Sequence, residues 1–163
     1  MADIPETKRV ASQLRRSYEG QAWHGPALKE LLNGVTAEIA SAKPIADAHS
    51  IWELVLHIEA WAGVGVAALE GKPYDRLSGD RDWPPVQATT AEAWQAALQR
   101  LESTIGKLVT AVRAFEDAKL NDLVEGSEFN YYFLLHGIVQ HNLYHAGQIA
   151  LLKKCGAGPR PAH

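Results

Sequence analysis

The spacing of apolar residues along the chain predicts four long helices. The clearest is the third, where apolar side chains recur in steps of three and four residues, as on one face of a helix. Its stripe consists of Trp94, Leu98, Leu101, Ile105, Leu108, Val112 and Phe115. A weaker stripe with charges between its members predicts the first helix over roughly residues 4 to 20. Because no polar residue interrupts the third stripe, we predict that this helix serves the core.

Capping residues predict where the second and third helices begin. Ser50 and Glu53 form a capping box, in which each side chain accepts a hydrogen bond from an end amide of the helix. We therefore expect the second helix to run from here to about Glu70. Thr89 and Glu92 have the same spacing and predict that the third helix starts at Thr89.

The remaining segments complete an all-α pattern. The fourth helix is predicted from about Glu128 to Lys154. Pro26 can open a short extra helix after the first one, and a long connection over residues 71–88 separates the second helix from the third. We expect a four-helix bundle in which residues 1–156 form a single domain, followed by a flexible tail over residues 157–163.

Composition and charge exclude several classes of protein. The 163 residues are 47% apolar and 21% charged, as in an ordinary globular domain. The net charge of -3 and the lack of a basic run argue against nucleic-acid binding. The sequence pattern indicates no membrane-spanning stretch, and the acidic N-terminus does not resemble a secretion signal. With Cys155 as the only cysteine, we expect a cytoplasmic protein.

Three histidines interrupt apolar stripes and are candidate metal ligands. His141 and His145 stand one turn apart on one face of the fourth helix, where the pattern otherwise has aliphatic residues. His57 interrupts the buried side of the second helix in the same way. Buried imidazoles are costly when unpaired, and one divalent cation would satisfy all three. Three protein ligands also leave a coordination position open, as in catalytic sites.

Alternatives to a metal site remain open at this point. A His-x-x-x-His pair on a helix often arises by chance, and a helical histidine is usually a surface or hydrogen-bonded residue. Asn142, not glutamate, follows His141, so the zinc-protease pattern is absent. No Glu-x-x-His run supports a di-iron bundle.

Four other residues are candidates for the surroundings of the site. Gln148 shares a helix side with the paired histidines and could orient a ring or a bound water. Trp23, His24 and Trp83 lie in breaks between helices that we expect at the same end of the bundle as the histidines. They could line the mouth of a small-molecule pocket. We predict that His136 faces the surface or a loop, because it lies about 140° from His141 around the helix.

Two stretches of sequence resemble the DinB-like superfamily of metal-dependent proteins. They are residues 49–61 (HSIWELVLHIEAW) and residues 140–149 (QHNLYHAGQI). The segments Trp23 to Pro26 and Asp82 to Pro85 are also similar to members of this group, so the likeness covers nearly the whole chain.

The resemblance implies an up-down-down-up order of helices, with the long connection between helices two and three. It also implies a divalent metal on His57, His141 and His145. Zinc or nickel is the first expectation for the metal, and iron or manganese is a further possibility. Homodimers are frequent in this group, and characterised relatives include transferases and an isomerase that use low-molecular-weight thiols.

Three functional hypotheses therefore stand side by side. The first is a metal-dependent enzyme that acts on a small molecule, as a thiol-dependent transferase or a hydrolase. The second is a non-catalytic stress-response bundle that binds a metal or a ligand. The third is a structural dimerisation bundle whose histidines are hydrogen-bonded in the core.

Overall fold

The computed structural model describes residues 4–156 and contains six α-helices and no strand within that range. The predicted tail, residues 157–163, lies outside the described residues. Two short 3-10 turns, Gly79–Arg81 and Asp117–Asn121, lie in the connections. The helices are α1 (Glu6–Glu19), α2 (Leu28–Leu32), α3 (Ala37–Ser41), α4 (Ile51–Leu69), α5 (Ala91–Ala114) and α6 (Tyr131–Gly156).

The start of α4 confirms the predicted capping box. The Ser50 hydroxyl accepts from the Glu53 amide at 3.2 Å, and the Glu53 carboxylate accepts from the Ser50 amide at 2.7 Å. The predicted start of α5 at Thr89 is wrong by one residue. The next threonine, Thr90, is the cap, and its hydroxyl accepts from the Ala93 amide. Two adjacent threonines offer the same hydroxyl, so spacing alone does not distinguish them.

Other boundaries were predicted less well. The short helix after α1 is present as α2, but the following helix α3, capped by Thr36, was missed because it is only one turn and a half long. α6 begins at Tyr131 and not near Glu128. The side chain of Asn130 accepts from the Phe133 amide, while the residues before Asn130 form a turn.

The four long helices surround one apolar core, and their ends reveal their relative directions. The amide and hydroxyl of Thr7, near the start of α1, both donate to Asp117, just beyond the end of α5. α1 and α5 therefore run in opposite directions. The hydroxyl of Tyr131, at the start of α6, donates to the carbonyl of Ala68 at the end of α4. These two helices are also antiparallel, and they carry the three histidines.

A glycine lets α4 approach its neighbours closely. A methyl group at Gly65 would lie 2.6 Å from the Ile138 side chain of α6 and 3.0 Å from the Leu108 side chain of α5. The predicted stripe of α5 is largely confirmed: Trp94, Leu101, Ile105, Leu108 and Val112 are buried.

α4 is the one helix, among residues 4–156, whose length and apolar composition would suffice to cross a membrane. The interpretation that no stretch of the chain reaches that length was therefore wrong. More than half of this stretch is buried inside the protein. A core helix has the same properties, because every side of it contacts other parts of the fold.

Candidate metal centre

The fold brings the three predicted histidines together through their Nε2 atoms. His57 comes from α4, and His141 and His145 come from successive turns of α6. The Nε2 of His141 lies 2.9 Å from the Nε2 of His57 and 3.0 Å from the Nε2 of His145. One ligand atom from each ring lies within 4.8 Å of the other two.

The outer nitrogens of two rings are held by acceptors. The Nδ1 of His57 donates to the backbone carbonyl of Asp82 at 2.6 Å and lies 3.2 Å from the carboxylate of the same residue. The Nδ1 of His145 donates to the side-chain oxygen of Gln148 at 2.5 Å. A proton on Nδ1 leaves the lone pair of Nε2 free, so both rings present an acceptor to the centre of the cluster.

The third ring makes the cluster short of protons. If His141 carries its proton on Nε2, that proton can be donated to only one of the two neighbouring Nε2 atoms. If it carries the proton on Nδ1, no acceptor is within reach there, because this atom is buried and unpartnered within residues 4–156. In the first case one of the two short contacts between Nε2 atoms has no proton to bridge it, and in the second case neither contact has one. A cation at the centre would satisfy all three rings.

Aromatic side chains hold His57 from the outside. The ring of Trp83 is stacked on His57, with ring centres 3.8 Å apart, and on the far side it is stacked on His49 at 3.5 Å. The indole of Trp61 donates to the carboxylate of Asp82 at 2.8 Å. Asp82 therefore ties the imidazole and the indole together, while Trp83 packs flat against the imidazole.

Burial keeps the cluster neutral. The side chains of His57 and His145 are each 5% exposed, and this burial lowers the pKa of both. The pKa of His141 is lowered to about 3, first by burial and then by the two neighbouring imidazoles. Neutral imidazole is the form that binds metals. These residues therefore fit a divalent ion that accepts imidazole nitrogen, a class that includes zinc and nickel.

Removing the Asp82 side chain should weaken metal binding. Asp82→Ala keeps the backbone carbonyl but loses the carboxylate beside His57 and Trp61. Loss of a group that orients a metal ligand typically lowers affinity 10- to 100-fold, and we expect about tenfold here because the carbonyl remains. Zinc titration against a competing chelator would measure this change in affinity. Asp80→Ala, an exposed change in the same turn, is the matched control. Equal affinities in the two variants would contradict the orienting role.

The metal-free protein should lose stability in mild acid. All three pKa values are lowered in the folded state, so below about pH 6.5 the unfolded chain binds protons that the folded cluster does not. The contribution of the three histidines to the free energy of unfolding is thus fully present above about pH 6.5, and it falls as the pH drops toward about 4.5. Carboxylates with lowered pKa values, such as Asp117, act only below that window. Urea unfolding of chelator-treated protein across this range would measure the loss. A flat profile would contradict it.

The other predicted site residues divide into two pairs. Gln148 and Trp83 contact the cluster, Gln148 through His145 and Trp83 through His57. Trp23 is fully exposed and His24 is also exposed, and neither has a described contact with the three histidines. That these two line a mouth stays a prediction. His136 lies away from the cluster, 3.9 Å from Glu6 of α1.

Sequence reasoning missed Asp82, Trp61 and the position of His49. The ring of His49 lies 3.6 Å from the carboxylate of Glu53 and also covers the outer face of Trp83. The segment around Asp82 has no periodicity, so no spacing rule relates it to His57. The available signal was the resemblance of this segment to members of the DinB-like group.

A groove of about 890 Å³ lies elsewhere in the protein, between the end of α1, the start of α5 and residues 29–38. Tyr18 and Trp94 are among its lining residues, and none of the three clustered histidines is. The candidate centre is therefore identified by its converging ligand atoms and not by cavity size.

Comparison with known proteins agrees with this architecture. A solved crystal structure, that of the conserved protein of locus from Enterococcus faecalis, is similar over 96% of this chain and 100% of its own, with a TM-score of 0.72 and 15% identity. That likeness concerns the fold alone. Among curated proteins, none matches the sequence. The sequence model of the DinB superfamily matches residues 22–149, which include all three histidines, and the chain belongs to that superfamily.

Proposed function

We propose that this protein binds one divalent metal ion through His57, His141 and His145 and is an enzyme acting on a small molecule. The observation that carries the proposal is the set of three Nε2 atoms that meet at 2.9 and 3.0 Å with too few protons to pair them. A bound ion would act as a Lewis acid and would lower the pKa of a thiol or water bound to it toward neutral pH. Zinc or nickel suits three imidazoles best, and iron or manganese is a weaker fit.

The proposal includes the arrangement of the helices around the site. We propose a four-helix bundle in which α1, α4, α5 and α6 run up, down, down and up. The antiparallel contacts of α1 with α5 and of α4 with α6 support that order. Residues 71–88 would then connect the two parallel helices, and this connection carries Asp82 and Trp83 to the histidines.

The residues around the ion would position it and limit access to it. Asp82 and Gln148 hold protons on the outer nitrogens of His57 and His145, so the inner nitrogens stay available. Trp83 and Trp61 cover one side and keep water away from His57. Three protein ligands would leave room for a substrate group, and a low-molecular-weight thiol is the substrate class that we propose first.

Activity assays on metal-loaded protein test the enzymatic part. Protein loaded with zinc or nickel would be incubated with small thiols and electrophiles, and separately with ester and amide substrates for hydrolase activity. We expect turnover that scales with metal content and is absent in His145→Ala. A fully loaded protein without turnover on any of these substrates would contradict the enzyme proposal while leaving the metal site intact.

A non-catalytic metal-binding protein is the second candidate. It is supported by one observation: the described contacts of the cluster include no carboxylate that is free to act as an acid or a base. The carboxylate of Asp82 already accepts a hydrogen bond from the indole of Trp61 and lies beside the Nδ1 of His57. This candidate predicts tight metal binding with no reaction. A cytoplasmic location is part of both proposals, since one exposed cysteine, Cys155, suits a reducing compartment.

A further inference from the structure

The groove between the end of α1 and the start of α5 has an apolar floor and a charged rim. Its volume of about 890 Å³ is typical of a pocket for a small molecule. The floor consists of side chains that are buried or half-buried: Tyr18, Leu32, Val35, Ala37, Trp94 and Leu98. The charged residues of the rim are one lysine and four glutamates: Lys29, Glu19, Glu30, Glu38 and Glu102. A ligand that fits this groove would combine an apolar body with a polar group at its edge.

The walls of the groove are fixed to one another. The indole of Trp94 in α5 donates to the carbonyl of Val35 at 2.8 Å. The ammonium of Lys153, in the last turn of α6, donates to the carbonyls of Leu31 and Asn33 at 2.7 Å each. The segment between α2 and α3 is thereby tied to two long helices. The groove is therefore formed without a ligand, and a ligand that enters it would have to order few residues.

The floor contains a hydroxyl that the fold leaves unpaired. Tyr18 of α1 is only 5% exposed, and within residues 4–156 its hydroxyl neither donates nor accepts a hydrogen bond. Side-chain polar groups at such depth usually have a partner in native proteins. This hydroxyl is not sealed from solvent as the unpartnered atoms of the core are, so it opens into the groove that Tyr18 lines. A bound ligand could supply the missing partner.

The surroundings of Tyr18 favour a ligand that donates hydrogen bonds. Burial raises the pKa of Tyr18, and the carboxylates of Glu102 and Glu19 raise it further, so the hydroxyl keeps its proton at neutral pH. The lone pairs of this oxygen and of the carboxylates accept N–H groups, whereas they would repel an anion. An ammonium group supplies three N–H donors together with a positive charge.

The charges of the rim favour a cation as well. Lys29 is the one basic side chain among the described lining residues, and it is already paired with Glu102 at 2.5 Å, between α2 and α5. Glu30 and Glu38 have no basic partner in the part of the chain that the structure describes. The rim is therefore negative at neutral pH, and a bound cation would reduce the repulsion among its carboxylates.

We propose that this groove is a second ligand site, which binds a small organic cation consisting of a primary ammonium on an apolar body. The ammonium would lie at the acidic rim beside the hydroxyl of Tyr18, and the apolar body would cover Leu32, Val35 and Leu98. Lys29 would then compete with the ligand for Glu102. This inference goes beyond the proposed function and does not depend on a bound metal, because no histidine of the cluster lines the groove.

Three probes that differ only in their head group test the proposed ligand class. They are phenylbutylamine, phenylbutanol and phenylbutyrate, which are cationic, neutral and anionic at neutral pH. Titration calorimetry of the zinc-loaded full chain should show that the amine binds about tenfold more tightly than the alcohol and that the acid binds most weakly. Equal affinities for the three probes, or no measurable binding of the amine at millimolar concentration, would overturn the proposal.

Variants of the groove test where the amine binds. Lys29→Gln removes the competing ammonium and should make binding about threefold tighter, a gain that misfolding would not produce. Tyr18→Phe keeps the ring and loses an unpaired hydroxyl, so it should weaken binding about fivefold without lowering stability. Glu38→Gln should weaken binding about threefold, and Glu128→Gln, an equal change of charge just before α6, should leave it unchanged. Weaker binding in Lys29→Gln, or unchanged binding in both Tyr18→Phe and Glu38→Gln, would contradict the proposed site.

A variant of the metal centre distinguishes the two sites. An amine nitrogen can also bind an open position on a metal ion, so the titration is repeated with His145→Ala. We expect the affinity for phenylbutylamine to equal that of the wild-type protein, although this variant should no longer take up zinc. If the amine and the zinc are lost together, the amine binds at the metal centre and the assignment to the groove is wrong.

Discussion

Replacing His145 with alanine will abolish the uptake of a divalent metal while leaving the helical content unchanged. His145 supplies one of three converging Nε2 atoms, and its Nδ1 is fixed by Gln148. Two imidazoles bind a divalent ion far more weakly than three, so we expect a loss of more than about 100-fold in zinc affinity, beyond the effect of losing an orienting group alone. Competition with a chromogenic chelator would measure it, and circular dichroism would check the helices.

His136→Ala is the matched control for this experiment. It removes a histidine from the same helix, but His136 lies beside Glu6 of α1 and away from the cluster. We expect its zinc affinity to equal that of the wild-type protein. If His145→Ala keeps its affinity, or if His136→Ala loses as much, the ligand assignment is wrong.

Replacing Trp94 with alanine will lower the free energy of unfolding by about 3–5 kcal/mol, the usual cost of removing a buried aromatic ring. Trp94 is 1% exposed, and its ring lies 5.0 Å from that of Trp52 in α4. Its indole also donates to the carbonyl of Val35 at 2.8 Å, which ties α5 to the segment between α2 and α3. Urea unfolding of the metal-free protein would measure the loss.

Two further variants separate the causes of this loss. Trp23→Ala removes the same side chain from a fully exposed position and should change stability by less than about 0.5 kcal/mol. Trp94→Phe keeps most of the ring but leaves the Val35 carbonyl without its donor, so it should be intermediate. A Trp94→Ala variant as stable as Trp23→Ala would contradict the packing described for this end of the protein.

The long helices could be predicted because their signals are periodic. The stripe of α5 and the capping box at Ser50 each follow from spacing along one element, and the structure agrees with both. The exact cap of α5 could not be predicted, since Thr89 and Thr90 are chemically equivalent neighbours. α3 was missed because a helix of five residues is too short to show a period.

The site residues could likewise be predicted only where they lie on a helix with a periodic pattern. His141 and His145 are related by helical spacing, and His57 stands out on an apolar face. Asp82 is 25 residues from its partner His57 and lies in an irregular connection. Its role depends on how the connection after α4 folds back against that helix, and no local sequence pattern predicts this. Family resemblance drew attention to that segment without assigning a role to the aspartate.

The most direct test of the account is the metal content and coordination of untagged protein. X-ray absorption at the metal edge, combined with elemental analysis, would report the ion, its amount per chain and its ligands. We expect about one divalent ion per chain, bound by three imidazole nitrogens, and no such signal from His145→Ala. Protein that retains no metal after incubation with zinc or nickel, or that binds it with fewer than three imidazoles, would contradict the account.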